Sequence, residues 1–177
     1  MRLLILGLGN VLRGDDGVGV YAAKLIEEKI SQYDDIALRH DGIDVKYGLF
    51  GGVELLYEML GYDKAIILDS LKTSHGKVGD ITRLGTEDLP EFCGPSLHDM
   101  SIREIEDLGK HHFPDEFPSE VVIFSIEVMA TTFKEGLSEE IKGVLPQLVN
   151  DVLEAIRGMT SVAEGAVDKS STPCTEG

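Results

Sequence analysis

Residues 3–30 read LLILGLGNVLRGDDGVGVYAAKLIEEKI, and this stretch decides the fold. Its opening is a short unbroken apolar run ended by glycines, the pattern of a strand covered on both faces. Beyond the loop, Val18, Ala22, Leu25, Ile26 and Ile30 recur at helical spacing, with Lys24, Glu27, Glu28 and Lys29 between them. Strand, glycine loop and amphipathic helix follow one another, and two adjacent aspartates, Asp15 and Asp16, stand in the loop.

The same alternation continues downstream. DIALRHD (35–41) fits a second strand, and GGVELLYEMLG (51–61) a second helix stopped by Gly61. KAIILDS (64–70) is another buried strand, with Asp69 at its end. GKVGDITRL (76–84) has the glycines and alternation of a hairpin or edge strand. PSLHDMSIREIEDLG (95–109) holds a helix starting near Met100 or Ser101, with Ile102, Ile105 and Leu108 on one face. SEVVIFSIEV (119–128) is the last strong strand. LSEEIKGVLPQLVNDVLEAI (137–156) is a closing amphipathic helix capped by Ser138, which Pro146 should kink or split. Five strands alternating with helices predict an α/β fold, a mostly parallel five-stranded sheet sandwiched between helices. One domain over residues 1–157 accounts for all of this, and the small, polar residues of 158–177 predict a flexible tail.

Charge narrows the partners. Against 16 basic residues stand 32 acidic ones, a formal net charge of −16. Such a surface disfavours nucleic acid and anionic membranes, which need clustered Lys and Arg, and suits a basic or metal-bearing partner. No apolar run approaches the length of a membrane span. RLLILGLGNVL leads into RGDDG rather than a small-residue cleavage site, so it reads as a strand of the mature protein and not as a signal peptide. Cys93 and Cys174 form neither a disulfide framework nor a CxxC knuckle, so the expected compartment is the cytoplasm. Cys93, in EFCGP, lacks any feature of an activated nucleophile.

In open α/β sheets ligands gather at the carboxyl ends of the strands. Asp15 and Asp16, Asp69, and His98 in the PSLHD loop all fall at such places. Two carboxylates and an imidazole make a workable ligand set for nickel, zinc, iron or manganese, better than for calcium. Plainer readings stand beside this one. Asp15 or Asp16 fits a helix cap, Asp69 a solvated strand end, and His98 a surface histidine. His111 and His112 are adjacent on a helix end and are read as exposed side chains pointing apart. The glycine loop is no dinucleotide fingerprint, because Leu12 occupies the third glycine position of G-x-G-x-x-G and RGDD would repel a pyrophosphate. A Walker lysine, a G-x-S-x-G elbow and an H-E-x-x-H helix are all lacking.

Taken in order, these segments resemble a known family. LGLGNVLRGDDGVGV (6–20) is similar to the amino-terminal signature of the nickel–iron hydrogenase maturation endopeptidases, in which a G-x-G-N loop leads to an acidic pair and a glycine. AIILDS (65–70) resembles their central strand, SLHDMSIREIEDL (96–108) their histidine segment, and VVIFSIEV with GLSEEIKGVLPQLVNDVLEAI their carboxyl-terminal pattern. HDGIDVKYGLFGGVELL (40–56) departs from the short Asp–Gly–Gly–Thr turn of the family. The resemblance, which spans about residues 2–157, implies a twisted sheet in a three-layer sandwich. It implies an endopeptidase that removes the carboxyl-terminal extension of the hydrogenase large-subunit precursor once nickel is inserted. It also implies that Asp16, Asp69 and His98 are the metal ligands and catalytic residues, with Asn10 and Asp15 supporting them in the loop. Nickel would come from the substrate, and zinc or another divalent ion could occupy the isolated protein. The metal could activate water, or it could dock the substrate while Asp16 or Asp69 acts as general base. Two other readings share features. Peptidyl-tRNA hydrolases open on a similar GLGN loop but continue with proline where Val11 stands, and a nickel-dependent chaperone could bind the precursor without cutting it.

Overall fold

The computed structural model describes residues 1–32, 42–73, 75–89, 100–129 and 133–164. Five strands form one sheet: β1 (Leu3–Leu8), β2 (Ile43–Gly48), β3 (Lys64–Leu71), β4 (Ile81–Gly85) and β5 (Glu120–Glu127), in the order β2-β1-β3-β5-β4. All pairings are parallel except that of β4, the antiparallel edge strand. The helices are α1 (Val18–Gln32), α2 (Val53–Met59), α3 (Ile102–His112) and α4 (Glu139–Glu164).

The period-2 alternation of the central strands builds two cores. Leu3 and Ile5 of β1, Ile66 and Leu68 of β3, and Val122, Phe124 and Ile126 of β5 join the cluster containing α1 and α4. Their neighbours Leu4, Leu6, Ala65, Ile67, Val121 and Ile123 point the other way, into the cluster containing α2 and α3. Every residue of β1 is buried, as a strand covered on both faces must be. The result is the expected three-layer α/β sandwich.

Local boundaries differ from the sequence reading in three places. The second described strand is Ile43–Gly48, within the stretch read as a connection, and the segment proposed for that strand, 35–41, lies outside the described residues. Its alternating Ile43, Val45 and Tyr47 were masked by the charged and glycine residues between and around them. Pro146 does not split α4, which runs continuously through it. The proline lies on the exposed face, where water can serve the freed carbonyl, while Ile141, Leu145, Leu148, Val149 and Val152 hold the helix to the sheet on both sides of it. The same helix continues past the predicted boundary at 157 to Glu164, because Met159 and Thr160 are still buried; residues 165–177 lie outside the description. Ser138 and Ser101 act as N-caps. Ser138 accepts the Ile141 N–H, and Ser101 and Glu104 form a reciprocal capping box on α3. His111 and His112 are exposed as expected, but their rings meet edge to face at 4.7 Å instead of pointing apart.

Candidate active site

Strand order places the site. The chain leaves β1 through α1 on one face toward β2, then returns through α2 on the other face to β3, on the far side of β1. The crevice beyond the carboxyl ends of β1 and β3 is therefore the topological switch point, where open α/β sheets bind ligands.

Two of the predicted acids, Asp16 and Asp69, fall there, close enough for the charge of one to act on the other. After β1 the chain makes a 3-10 turn, Gly14–Gly17, before α1. Glycine lets the start of α1 lie directly on the sheet: a Cβ on Gly19 would collide with the carbonyl oxygens of Leu8 and Leu68, the last residues before the loop and before Asp69. Asn10 shapes the loop, its Oδ1 accepting the Leu12 N–H at 2.9 Å and its carbonyl accepting the Arg13 N–H at 2.9 Å. The Asn10 N–H in turn donates to Asp16 Oδ2 at 3.0 Å. The 3-10 turn has no side-chain cap, so Asp15 and Asp16 are not held there by capping that turn.

The two aspartates have separate tasks. Asp15 Oδ1 accepts the Ser138 N–H at 2.7 Å, and beside it Gly14 and Lys134 complete a backbone bridge between the loop and residues 133–138. Asp15 is a brace between the first loop and the start of α4. Asp16 instead holds the loop through the Asn10 N–H and lies near enough to Asp69 of β3 for its charge to be felt there. Asp69, partly buried at the end of that strand, accepts the Ser70 N–H at 2.7 Å. Burial pushes its carboxyl up from 3.8 to about 7; the Ser70 N–H pulls the other way, and the negative charge of Asp16 adds to the rise. A carboxyl so perturbed beside a specific charged neighbour makes Asp69 a candidate functional position.

His98 and Cys93 lie outside the described residues. Among the described residues no group of three His, Cys, Asp or Glu side chains is arranged to hold a metal. A further acid escaped the sequence reading. Glu127, buried at the end of β5, accepts both the Thr73 N–H at 2.6 Å and the Thr73 hydroxyl at 3.1 Å. It ties down the segment that leaves β3 a few residues beyond Asp69. Its signal was a lone charge closing the apolar run VVIFSIE. Two open depressions of about 600 Å³ flank β4, around Arg83 and Glu120, and neither includes Asp16 or Asp69.

The fold and site together define a doubly wound α/β protein with two acids at its switch point. Residues 48–155 match the HycI family, described as hydrogenase maturation protease, and the chain belongs to that family. The hydrogenase 2 maturation protease of Escherichia coli (strain K12) is 24% identical over 171 residues, covering 94% of this chain and 99% of its own. The hydrogenase expression/formation protein HupD of Rhizobium leguminosarum bv. viciae is 24% identical over 174 residues, covering 93% and 81%. Among solved structures, the hydrogenase maturating endopeptidase HybD from E. coli superposes with a TM-score of 0.73 at 24% identity, covering 90% of this chain and 94% of that one. The [NiFe] hydrogenase maturation protease HycI from Thermococcus kodakarensis does so with a TM-score of 0.65 at 19% identity, covering 88% and 92%.

Proposed function

We propose that this protein is the endopeptidase that removes the carboxyl-terminal extension from a nickel-loaded hydrogenase large-subunit precursor. The reading is supported by the placement of Asp16 and Asp69 at the switch point, where the charge of Asp16 helps raise the pKa of Asp69, in a chain of the maturation protease family. Recognition uses nickel as part of the substrate. Asp16, Asp69 and His98 supply an oxygen–oxygen–nitrogen set for a divalent ion, and the missing ligands come from the precursor. Zinc or another divalent ion takes the same place in the isolated protein.

The chemistry of the donors supports this fit. Asp69 is short of solvation and repelled by Asp16, so a cation between the two relieves both penalties. A bound divalent ion supplies Lewis acidity toward the scissile carbonyl. Asp16 and Asp69 orient the substrate against the sheet edge, and a carboxylate oxygen of either that the ion would leave unengaged can accept a proton from the attacking water. Asn10 holds Asp16 through its N–H, and Asp15 keeps the loop fixed to α4.

Family membership and the net charge of −16 both weigh against a peptidyl-tRNA substrate. Incubation with nickel-loaded and nickel-free precursor tests the reading, with the large-subunit mass as readout. Only the nickel-loaded precursor should lose its extension. Metal-dependent binding without a change in mass would instead favour a chaperone, and cleavage of both forms would remove nickel from recognition.

A further inference from the structure

The carboxyl edge of the sheet also gathers exposed apolar side chains. Four of the large hydrophobic residues most open to solvent lie in its loops: Phe133 at 88% exposure, Met129 at 72%, Leu49 at 68% and Leu12 at 55%. Leu12 precedes the Asp15–Asp16 turn, Leu49 follows β2, Met129 follows β5, and Phe133 opens the segment leading to α4. Single exposed apolar residues are ordinary on a protein surface, but several at one functional edge are not.

Main-chain hydrogen bonds fix each of them to the elements that carry the two carboxylates. The Gly48 carbonyl, next to Leu49, accepts the Gly9 N–H at 3.2 Å. The N–H of Lys134, next to Phe133, donates to the Leu12 carbonyl at 3.1 Å. The N–H of Val128, next to Met129, donates to the Leu71 carbonyl at the end of the strand bearing Asp69, at 2.8 Å. The four side chains are thus presented at defined positions around the site.

We propose that Leu12, Leu49, Met129 and Phe133 form an apolar rim that docks the polypeptide substrate, taking an extended segment whose apolar side chains flank the bond to be cut. This rests on the protease reading above. The occupant is assigned to the precursor because the rim is continuous with the candidate active site: main-chain hydrogen bonds tie it to the loop bearing Asp16 and to the strand bearing Asp69.

The test compares the full-length wild type with the double variant Leu49→Ser/Phe133→Ser and with Leu25→Gln, a control on the exposed side of α1. Precursor binding and processing kinetics are measured for each, together with sedimentation. The rim variant should raise both Kd and KM about tenfold, with kcat changed far less, as expected for losing two apolar anchors. The control should match the wild type. Unchanged Kd and KM in the rim variant, with a wild type that processes normally, would overturn the rim and leave the protease reading standing. A wild type that binds precursor without cutting it would sink the protease reading, while the rim would still be judged by Kd. A wild type that neither binds nor cuts would overturn both. A rim variant that shifts from dimer to monomer with unchanged KM would assign the patch to self-association and overturn the proposal.

Discussion

Gly9 and Asp16 are locked together by main-chain contact: Gly9 has φ of 129°, and a Cβ on it would collide with the Asp16 carbonyl oxygen. Any side chain at position 9 must therefore both strain the backbone and push the acidic turn off the sheet. Gly9→Ala should destabilise the protein by about 2–4 kcal/mol, read from denaturant unfolding, and abolish processing in whatever fraction remains folded. A variant with wild-type stability would show that the loop is free to move away from Gly9, and the site geometry would need rebuilding.

Removing ligands should separate activity from folding. Asp16→Asn keeps an oxygen for the Asn10 N–H, and Asp69→Asn keeps one for the Ser70 N–H, so both should retain the wild-type circular dichroism spectrum. Each should lose processing of nickel-loaded precursor by about 100-fold or more, as should His98→Ala. Cys93→Ala should process normally; an inactive but folded Cys93→Ala would point to a thiol nucleophile instead. Adding a strong chelator to precursor before the protease should also stop cleavage.

The sequence made some of this arrangement readable and hid the rest for physical reasons. β1, β3 and β5 are buried on both faces, and burial demands unbroken apolar runs that anyone can see. β2 borders the sheet, is only half-buried, and carries Asp44 and Lys46, so its pattern dissolves into the loops around it. Asp16 and Asp69 could be nominated because glycine and strand ends mark the sheet edge. The different tasks of Asp15 and Asp16 could not: only the fold brings Ser138 to Asp15, 123 residues away in the chain. Glu127 was passed over because the residue that explains it, Thr73, lies 54 positions earlier.

Asp69 should make stability depend on pH in an unusual direction. Its folded pKa, about 7, lies above the ordinary 3.8, so between those values the native state holds the proton that the unfolded chain releases. The native state binds more protons there, and stability falls as pH rises from about 4 to about 7. In metal-free protein, Asp69→Asn should remove this dependence, raising stability at pH 8 by about 1–2 kcal/mol once solvent access to the cleft is allowed for, and changing little at pH 4. Thermal denaturation with chelator present, at the two pH values, measures it. Equal effects of the substitution at pH 4 and pH 8 would mean that Asp69 is an ordinary solvated acid.

Asp15 and Asp16 are neighbours in the chain, yet their replacement should give opposite signatures. Asp15→Ala leaves the Ser138 N–H, at the start of α4, without its acceptor and loosens the bridge between Arg13 and Lys134. That should cost about 1–3 kcal/mol in urea unfolding, the usual range for a partly buried charge-assisted hydrogen bond. Activity should fall only in part, because the carboxylate facing Asp69 is still present, and Asp15→Asn, which keeps an acceptor oxygen, should recover most of both losses. Asp16→Asn should do the reverse, with stability nearly intact and processing gone. If the two variants were to lose activity equally while keeping wild-type stability, Asp15 would belong to the reacting centre, and its bond to Ser138 would be incidental.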